Sequence, residues 1–275
     1  MTKRVSIQGY EGSFHQIAAQ EFLGRDVEVI PCATFRDVVK IASNSKESTG
    51  GCMAIENSIA GSILPNYTLL QKSKLKITGE IYLQIHQNLM VNPGVSLDDI
   101  REVHSHPMAL LQCMNYLEKH SWKLVETEDT ALSAKHLHQH RSKHVAVIAS
   151  KLAAELFKLN LIAPKIQSNK NNYTRFLFVE PVADKNDDAD KASINFYTDH
   201  SRGSLAKVLT KIAEGGINLS KLQSVPIPEH EWKYSFHADM EFDSIDQYNR
   251  VMQKIEPITE SLTVLGVYKK GKTIN

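Results

Sequence analysis

Four short stretches carry the side chains that can do chemistry, each read as lying where a strand ends. Gly9-Tyr10-Glu11-Gly12-Ser13-Phe14 combines turn-forming glycines with a serine placed to cap a helix, whose free amides can hold an anion. Glu56-Asn57-Ser58, with Gly61 just after, sets three polar side chains at the end of the apolar run Met53-Ala54-Ile55. His104-Ser105-His106-Pro107 leads into a helix carrying Gln112 and Cys113. There Ser105 offers a hydroxyl, and Pro107 suits a first helical turn. Asn172-Tyr173-Thr174-Arg175-Phe176 places a hydroxyl beside a guanidinium able to grip a carboxylate with two hydrogen bonds. Taken singly, each also reads as an ordinary turn, cap or strand. A fifth group, His136, His138, His140 and His144, puts two histidines at i,i+4 spacing, as zinc and nickel sites do. No Cys, Asp or Glu joins them as a third ligand, so the expectation is a solvated helix and no metal.

The elements that must position these stretches alternate. Strand Val5–Gly9, helix Phe14–Leu23, strand Val27–Cys32, helix Phe35–Ala42, strand Cys52–Glu56 and a helix from near Ala60 predict a parallel sheet covered on both faces. An extended stretch, 76–92, separates this unit from a second one. Its strands fall at Val103, Leu124–Thr127 and Val145–Ala149, and its helices at Met108–Leu117, from Ala131 and at Ala153–Leu159. A strand over Tyr173–Glu180 ends the segment. The fold class is therefore α/β, with two lobes and a cleft between them, and ligands of such sheets bind at strand-to-helix turns.

Residues 183–191 lack a large apolar side chain and read as a linker, which divides the chain into 1–182 and 192–275. Beyond it the order becomes βαββαβ: Ile194–Tyr197, Leu205–Ala213, Ile217–Val225, Trp232–Met240, Tyr248–Ile255 and Leu262–Tyr268, a ferredoxin-like domain.

Composition narrows the function classes. With 32 basic and 31 acidic side chains in 275 residues the net charge is +1, which offers no field for nucleic acid. No apolar run approaches the ~18 residues of a membrane span, and the N-terminus runs directly into a strand rather than a signal peptide. Cys32, Cys52 and Cys113 lack ligand-type spacing and read as reduced, buried thiols of a cytoplasmic protein.

In order and separation, the four stretches resemble the prephenate dehydratases over nearly the whole chain. The resemblance rests on Gly12-Ser13-Phe14, Glu56-Asn57-Ser58 with Gly61, Ser105-His106-Pro107 with Gln112-Cys113, and Asn172-Tyr173-Thr174-Arg175-Phe176. It implies two periplasmic-binding-protein-like lobes followed by an ACT domain. It also implies a cofactor-free conversion of prephenate to phenylpyruvate, CO2 and water in L-phenylalanine biosynthesis. Thr174 becomes the candidate acid for the departing hydroxyl, with Glu56 as the alternative. Asn57, Ser58, Ser105, Gln112, Arg175, Ser13 and Phe176 become the substrate-binding set. Phenylalanine is the expected inhibitor, bound at Gly203-Ser204-Leu205-Ala206, Asn218-Leu219 and Gln223-Ser224, with a homodimer or homotetramer formed through ACT pairing. Departures from the family pattern are Tyr10 for a proline, Met108 for a glutamine, Ser168 for an aspartate, and Gln223-Ser224-Val225-Pro226 for Glu-Ser-Arg-Pro. An arogenate dehydratase and a non-catalytic ligand sensor remain as alternatives.

Overall fold

The computed structural model describes residues 3–184, 186–199, 201–227 and 233–275. The first lobe opens with β1 (Arg4–Gln8), α1 (Phe14–Leu23), β2 (Glu28–Cys32), α2 (Phe35–Ala42) and β3 (Gly50–Asn57). β1 pairs in parallel with both β2 and β3. Local chemistry sets the helix starts: Ser13 accepts from the Gln16 amide and Thr34 from that of Asp37. β4 (Gly61–Ser62) folds back on β3, so α3 (Leu64–Lys72) begins at Leu64 rather than near Ala60.

The extended stretch 76–92 is two strands in different lobes, β5 (Lys76–Gln84) and β6 (Asn88–Val91). β6 joins β7 (Glu102–Ser105), β8 (Lys123–Glu126), β9 (Val145–Ala149) and β10 (Asn160–Ala163) in the order β10-β6-β9-β7-β8. The helices of this second lobe are α4 (Pro107–Gln112), α5 (Met114–Leu117), α6 (Thr130–His140) and α7 (Lys151–Leu156). Cys113 divides what the sequence pattern reads as one helix. β11 (Tyr173–Glu180) then returns to the first lobe and inserts between β5 and β3, antiparallel to both. The expected parallel sheet is therefore mixed, because this strand re-enters from the other lobe and runs the opposite way.

The last region runs β12 (Lys191–Tyr197), α8 (Ser204–Glu214), β13 (Asn218–Pro226), β14 (Tyr234–Glu241), α9 (Ile245–Ile255) and β15 (Ser261–Tyr268). Its sheet has the order β13-β14-β12-β15, with a core built on Ile194, Phe196, Val208, Ile212 and Val251. The strand start expected at Trp232 lies outside the described residues. Two boundaries move. Lys191, the last residue of the expected linker, is fully buried and opens β12. At the other end β16 (Thr273–Ile274) leaves the C-terminal domain and pairs with β5 in the first lobe. Among the described residues no helix is long and apolar enough to cross a membrane.

Candidate active site

Between the lobes lies a cavity of about 580 Å³. Its floor comes from two neighbouring strands, with Thr174 and Phe176 on β11 and Ala54 and Asn57 on β3. The spacing on β3 needs explaining, since residues three apart on a regular strand face opposite ways. The register supplies the answer. Thr174 pairs with Asn57 and Arg175 with Glu56, but Phe176 pairs with Ala54, which leaves Ile55 as the extra residue of a β-bulge. The bulge turns Asn57 onto the same face as Ala54 and Thr174.

Asn57 is held rigidly. Its Oδ1 accepts from the Ile59 and Ala60 amides at 3.0 and 2.9 Å, which fixes the orientation of the amide. Its Nδ2 then donates to Thr174 Oγ1 at 3.0 Å and to Asn172 Oδ1 at 2.8 Å. Asn172 in turn donates to Gln112 Oε1 at 3.0 Å. A chain of neutral amides thus runs from helix α4 of the second lobe to the Thr174 hydroxyl of the first. Because Thr174 Oγ1 accepts from Asn57, its own O–H proton is left for another acceptor, and the residue lines the cleft.

The rest of the wall comes from helix starts, including Ser13 and Phe14 of α1, Thr34 and Phe35 of α2, and Asp129 and Thr130 of α6. Among the described lining residues there is no Lys or Arg, and Glu128 and Asp129 are the only carboxylates. Burial pushes the Asp129 carboxyl up, opposed by the helix amides it caps. An anion here meets the positive ends of α1 and α2 rather than a side-chain cation. The lobes are tied together by Tyr10, whose hydroxyl donates to Glu128 at 2.9 Å, and by Ser150, whose hydroxyl donates to the Gly12 carbonyl at 2.5 Å. Gly12 sits at φ 88° against α7, where an added Cβ would lie 2.9 Å from Ala153 Cα, so only glycine permits this closure.

A family model described as prephenate dehydratase matches residues 5–183. The chain belongs to the prephenate dehydratase family. It is 34% identical to a bifunctional chorismate mutase/prephenate dehydratase of Aquifex aeolicus, over 98% of this chain and 74% of the relative. It is also 34% identical to arogenate dehydratase/prephenate dehydratase 2 of Arabidopsis thaliana, with the same coverage. The prephenate dehydratase of Arthrobacter aurescens, solved in complex with L-Phe, superposes with a TM-score of 0.87 at 26% identity, covering 97% of this chain and 90% of that one. A structure described as a novel type of quorum quenching acylase superposes with a TM-score of 0.89 at 25% identity, covering 98% of each chain. The architecture alone therefore does not select a chemistry. Family membership does, and the reaction is the dehydratase step of phenylalanine biosynthesis.

Against that reaction, the dehydratase motif residues separate into two groups. Thr174, Asn57, Gln112, Ser13 and Phe176 line the cleft. Arg175 does not, and the expectation that it grips the substrate is corrected. One residue along β11 from Thr174, it faces the opposite side of the sheet and is 4% exposed. It meets Glu80 Oε2 at 2.6 Å, Asp239 of the C-terminal domain, and the Tyr268 hydroxyl at 3.1 Å. Burial opposes its charge, yet Asp239, foremost among its neighbours, holds its pKa well above the ordinary value. Glu56 shares that face and accepts from Lys221 of β13 at 2.5 Å, so it too is turned from the cleft. Ser105 is fully buried and donates to the Ile148 carbonyl at 2.7 Å, serving the β7–β9 junction rather than a ligand. Ser58 donates to the Asn171 carbonyl and accepts from the Tyr173 amide, pinning the loop that enters β11.

Several lining residues escaped the sequence reading. His106 stood inside a quoted motif, while His15 follows Ser13-Phe14 directly and Gln87 lies between β5 and β6 in the extended stretch. Adjacency to a motif was the only signal for the first two. In the C-terminal domain, Ser204 and Leu205 border a separate cavity of about 150 Å³. Gly203 caps α8 at φ 81°, with Ala206 in the first turn of that helix. Asn218, Leu219, Gln223 and Ser224 lie along the edge strand β13.

Proposed function

We propose that Thr174 delivers the proton to the hydroxyl that leaves prephenate. The ring carboxylate departs as CO2, and the electron pair of the broken C–C bond moves through the ring diene. The C–O bond at the far side breaks as the ring becomes aromatic, and the departing oxygen takes a proton to leave as water. A threonine hydroxyl is a weak acid, so transfer must accompany C–O cleavage, when that oxygen becomes basic; Thr174 then recovers its proton from water. The hydrogen bond from Asn57 Nδ2 to Thr174 Oγ1, at 3.0 Å on the cleft floor, is the observation that carries this assignment. It orients the hydroxyl proton away from Asn57 and polarises the O–H bond. Ser13, Gln112 and the first-turn amides of α1 and α2 hold the substrate's oxygens, and Phe176 supports the ring.

The test is a phenylpyruvate-formation assay with prephenate, repeated with arogenate as competitor. Thr174→Ala should lower kcat about 10²–10⁴-fold with KM changed only a few-fold, and Thr174→Ser should retain most of the activity. An alanine variant with near-normal kcat sinks the role given to Thr174.

The C-terminal βαββαβ domain we read as an ACT domain that binds phenylalanine and pairs with a second copy in a dimer or tetramer of a cytoplasmic enzyme. The L-Phe complex of the Arthrobacter aurescens relative supports the ligand, and the cavity beside Ser204 and Leu205 supports its place. Its route to the cleft would be the Arg175–Asp239 contact, one residue from Thr174. Kinetics indifferent to millimolar phenylalanine would refute this regulatory reading.

A further inference from the structure

One ionisable side chain in the cleft wall has no part in the mechanism described so far. His15 lies in the first turn of α1 and is 9% exposed. Its ring packs edge-on against Phe176 at 5.0 Å and is tilted against Phe35 at 5.5 Å, both of which line the cleft. Its Nε2 accepts from the Ala54 amide at 3.3 Å. Ala54 sits beside the bulge at Ile55, where the β3–β11 ladder is interrupted, and an amide there needs an acceptor from elsewhere. His15 supplies it.

That bond settles the tautomer. A neutral imidazole whose Nε2 accepts carries its proton on Nδ1. Burial keeps the ring neutral, lowering its pKa to about 3. Nδ1 has no partner among the described residues, and the ring forms part of the wall shared by Thr174 and Asn57. A donor of fixed direction, nine-tenths buried and unpartnered, therefore stands at the N-terminal end of α1, in a cleft whose described lining contains no Lys or Arg.

We propose that His15 is a further substrate-binding residue, whose Nδ1–H donates to the pyruvyl carboxylate of prephenate, the one that phenylpyruvate retains. This rests on the dehydratase reading of the same cleft. A neutral donor suits the position because it leaves no uncompensated charge in the aromatic wall when the site is empty. With the α1 amides it makes an anion-holding array that does not depend on a side-chain cation.

Two variants separate the substrate contact from the structural bond to Ala54. In His15→Gln the side-chain carbonyl can still accept from Ala54, but no donor remains at the Nδ1 position. In His15→Asn an amide N–H returns near Nδ1 while the acceptor for Ala54 is lost. The expected result is that His15→Gln unfolds with wild-type thermal stability but loses about tenfold to a hundredfold in kcat/KM, mostly through KM. His15→Asn recovers much of that KM despite lower stability. In ¹⁵N-labelled protein, the His15 Nδ1–H signal should shift when phenylpyruvate is titrated in. A His15→Gln variant with wild-type KM and kcat, or an Nδ1 signal unmoved by saturating phenylpyruvate, overturns the proposal while leaving the dehydratase reading intact. A wild-type enzyme that turns over neither prephenate nor arogenate would overturn both.

Discussion

The two faces of β11 are built on opposite principles. On the cleft face Thr174 and Asn57 are neutral and joined to Asn172 and Gln112 by amide hydrogen bonds. On the other face, one residue away, Arg175 enters a buried ionic network with Glu80, Lys191, Asp239 and His237. The difference follows from what each face must do. A network that neutralises itself binds two domains in one orientation but has nothing left for a ligand. A neutral array carries no internal ion pair, and because Thr174 accepts from Asn57 its own proton stays free for a ligand. Catalysis and domain attachment thus share a strand without sharing side chains.

Breaking the ionic face should have the largest effect on folding. Arg175→Met leaves Asp239 buried without its arginine and Glu80 with Lys191 alone, and should lower unfolding free energy by about 3–5 kcal/mol in urea titrations. Thr174→Ala, its neighbour, should shift the same curve by no more than about 1 kcal/mol. Equal losses would mean that the two faces are not energetically distinct.

A smaller effect belongs to the cleft face. Asn57→Ala removes the donor that orients Thr174 and should reduce kcat about 10–100-fold, less than the loss of the threonine itself. A drop as deep as that of Thr174→Ala would make Asn57 a reacting group rather than a positioning one.

A last effect is one of pH, and the faces should lose stability in different windows. His15 has a folded pKa depressed to about 3, so its contribution is complete above the ordinary histidine value of roughly 6.5. Below that the unfolded chain takes up a proton that the folded chain refuses. Stability falls by up to about 1.4 kcal/mol per pH unit until the folded pKa is reached. For Asp239, burial favours the neutral acid, but the Arg175 charge outweighs it and holds the carboxyl well below its usual range. Its contribution is present above roughly pH 3.9 and is lost only as pH falls through that depressed value. Between pH 6.5 and 4.5, His15→Gln should therefore show a shallower decline than wild type in urea unfolding. Parallel curves would mean that His15 is not held neutral by the fold.

What local chemistry controls was legible before any coordinates. Ser13 caps α1 as its position before an apolar run requires, and α1 and α2 both span the expected residues. The βαββαβ order also follows from periodicity, although its sheet joins β12 to β14 and β15, strands remote in the chain. The four motifs identified the family, since their order and separation are properties of sequence. They did not reveal which member of each motif faces the ligand. Glu56 and Asn57, or Thr174 and Arg175, are adjacent polar residues, and nothing local distinguishes their sides.

Tertiary structure made that decision. Strand side chains alternate, so facing depends on register, and register here is set by β3, β5 and β11, strands brought together from distant parts of the chain. The bulge at Ile55, the burial of Lys191 and Glu80, and the return of β16 to β5 arise from the same non-local pairing. The sequence by itself determined the family, the reaction and most of the elements. Only the folded sheet assigned Thr174 and Asn57 to the cleft and Arg175 and Glu56 to the contact with the C-terminal domain.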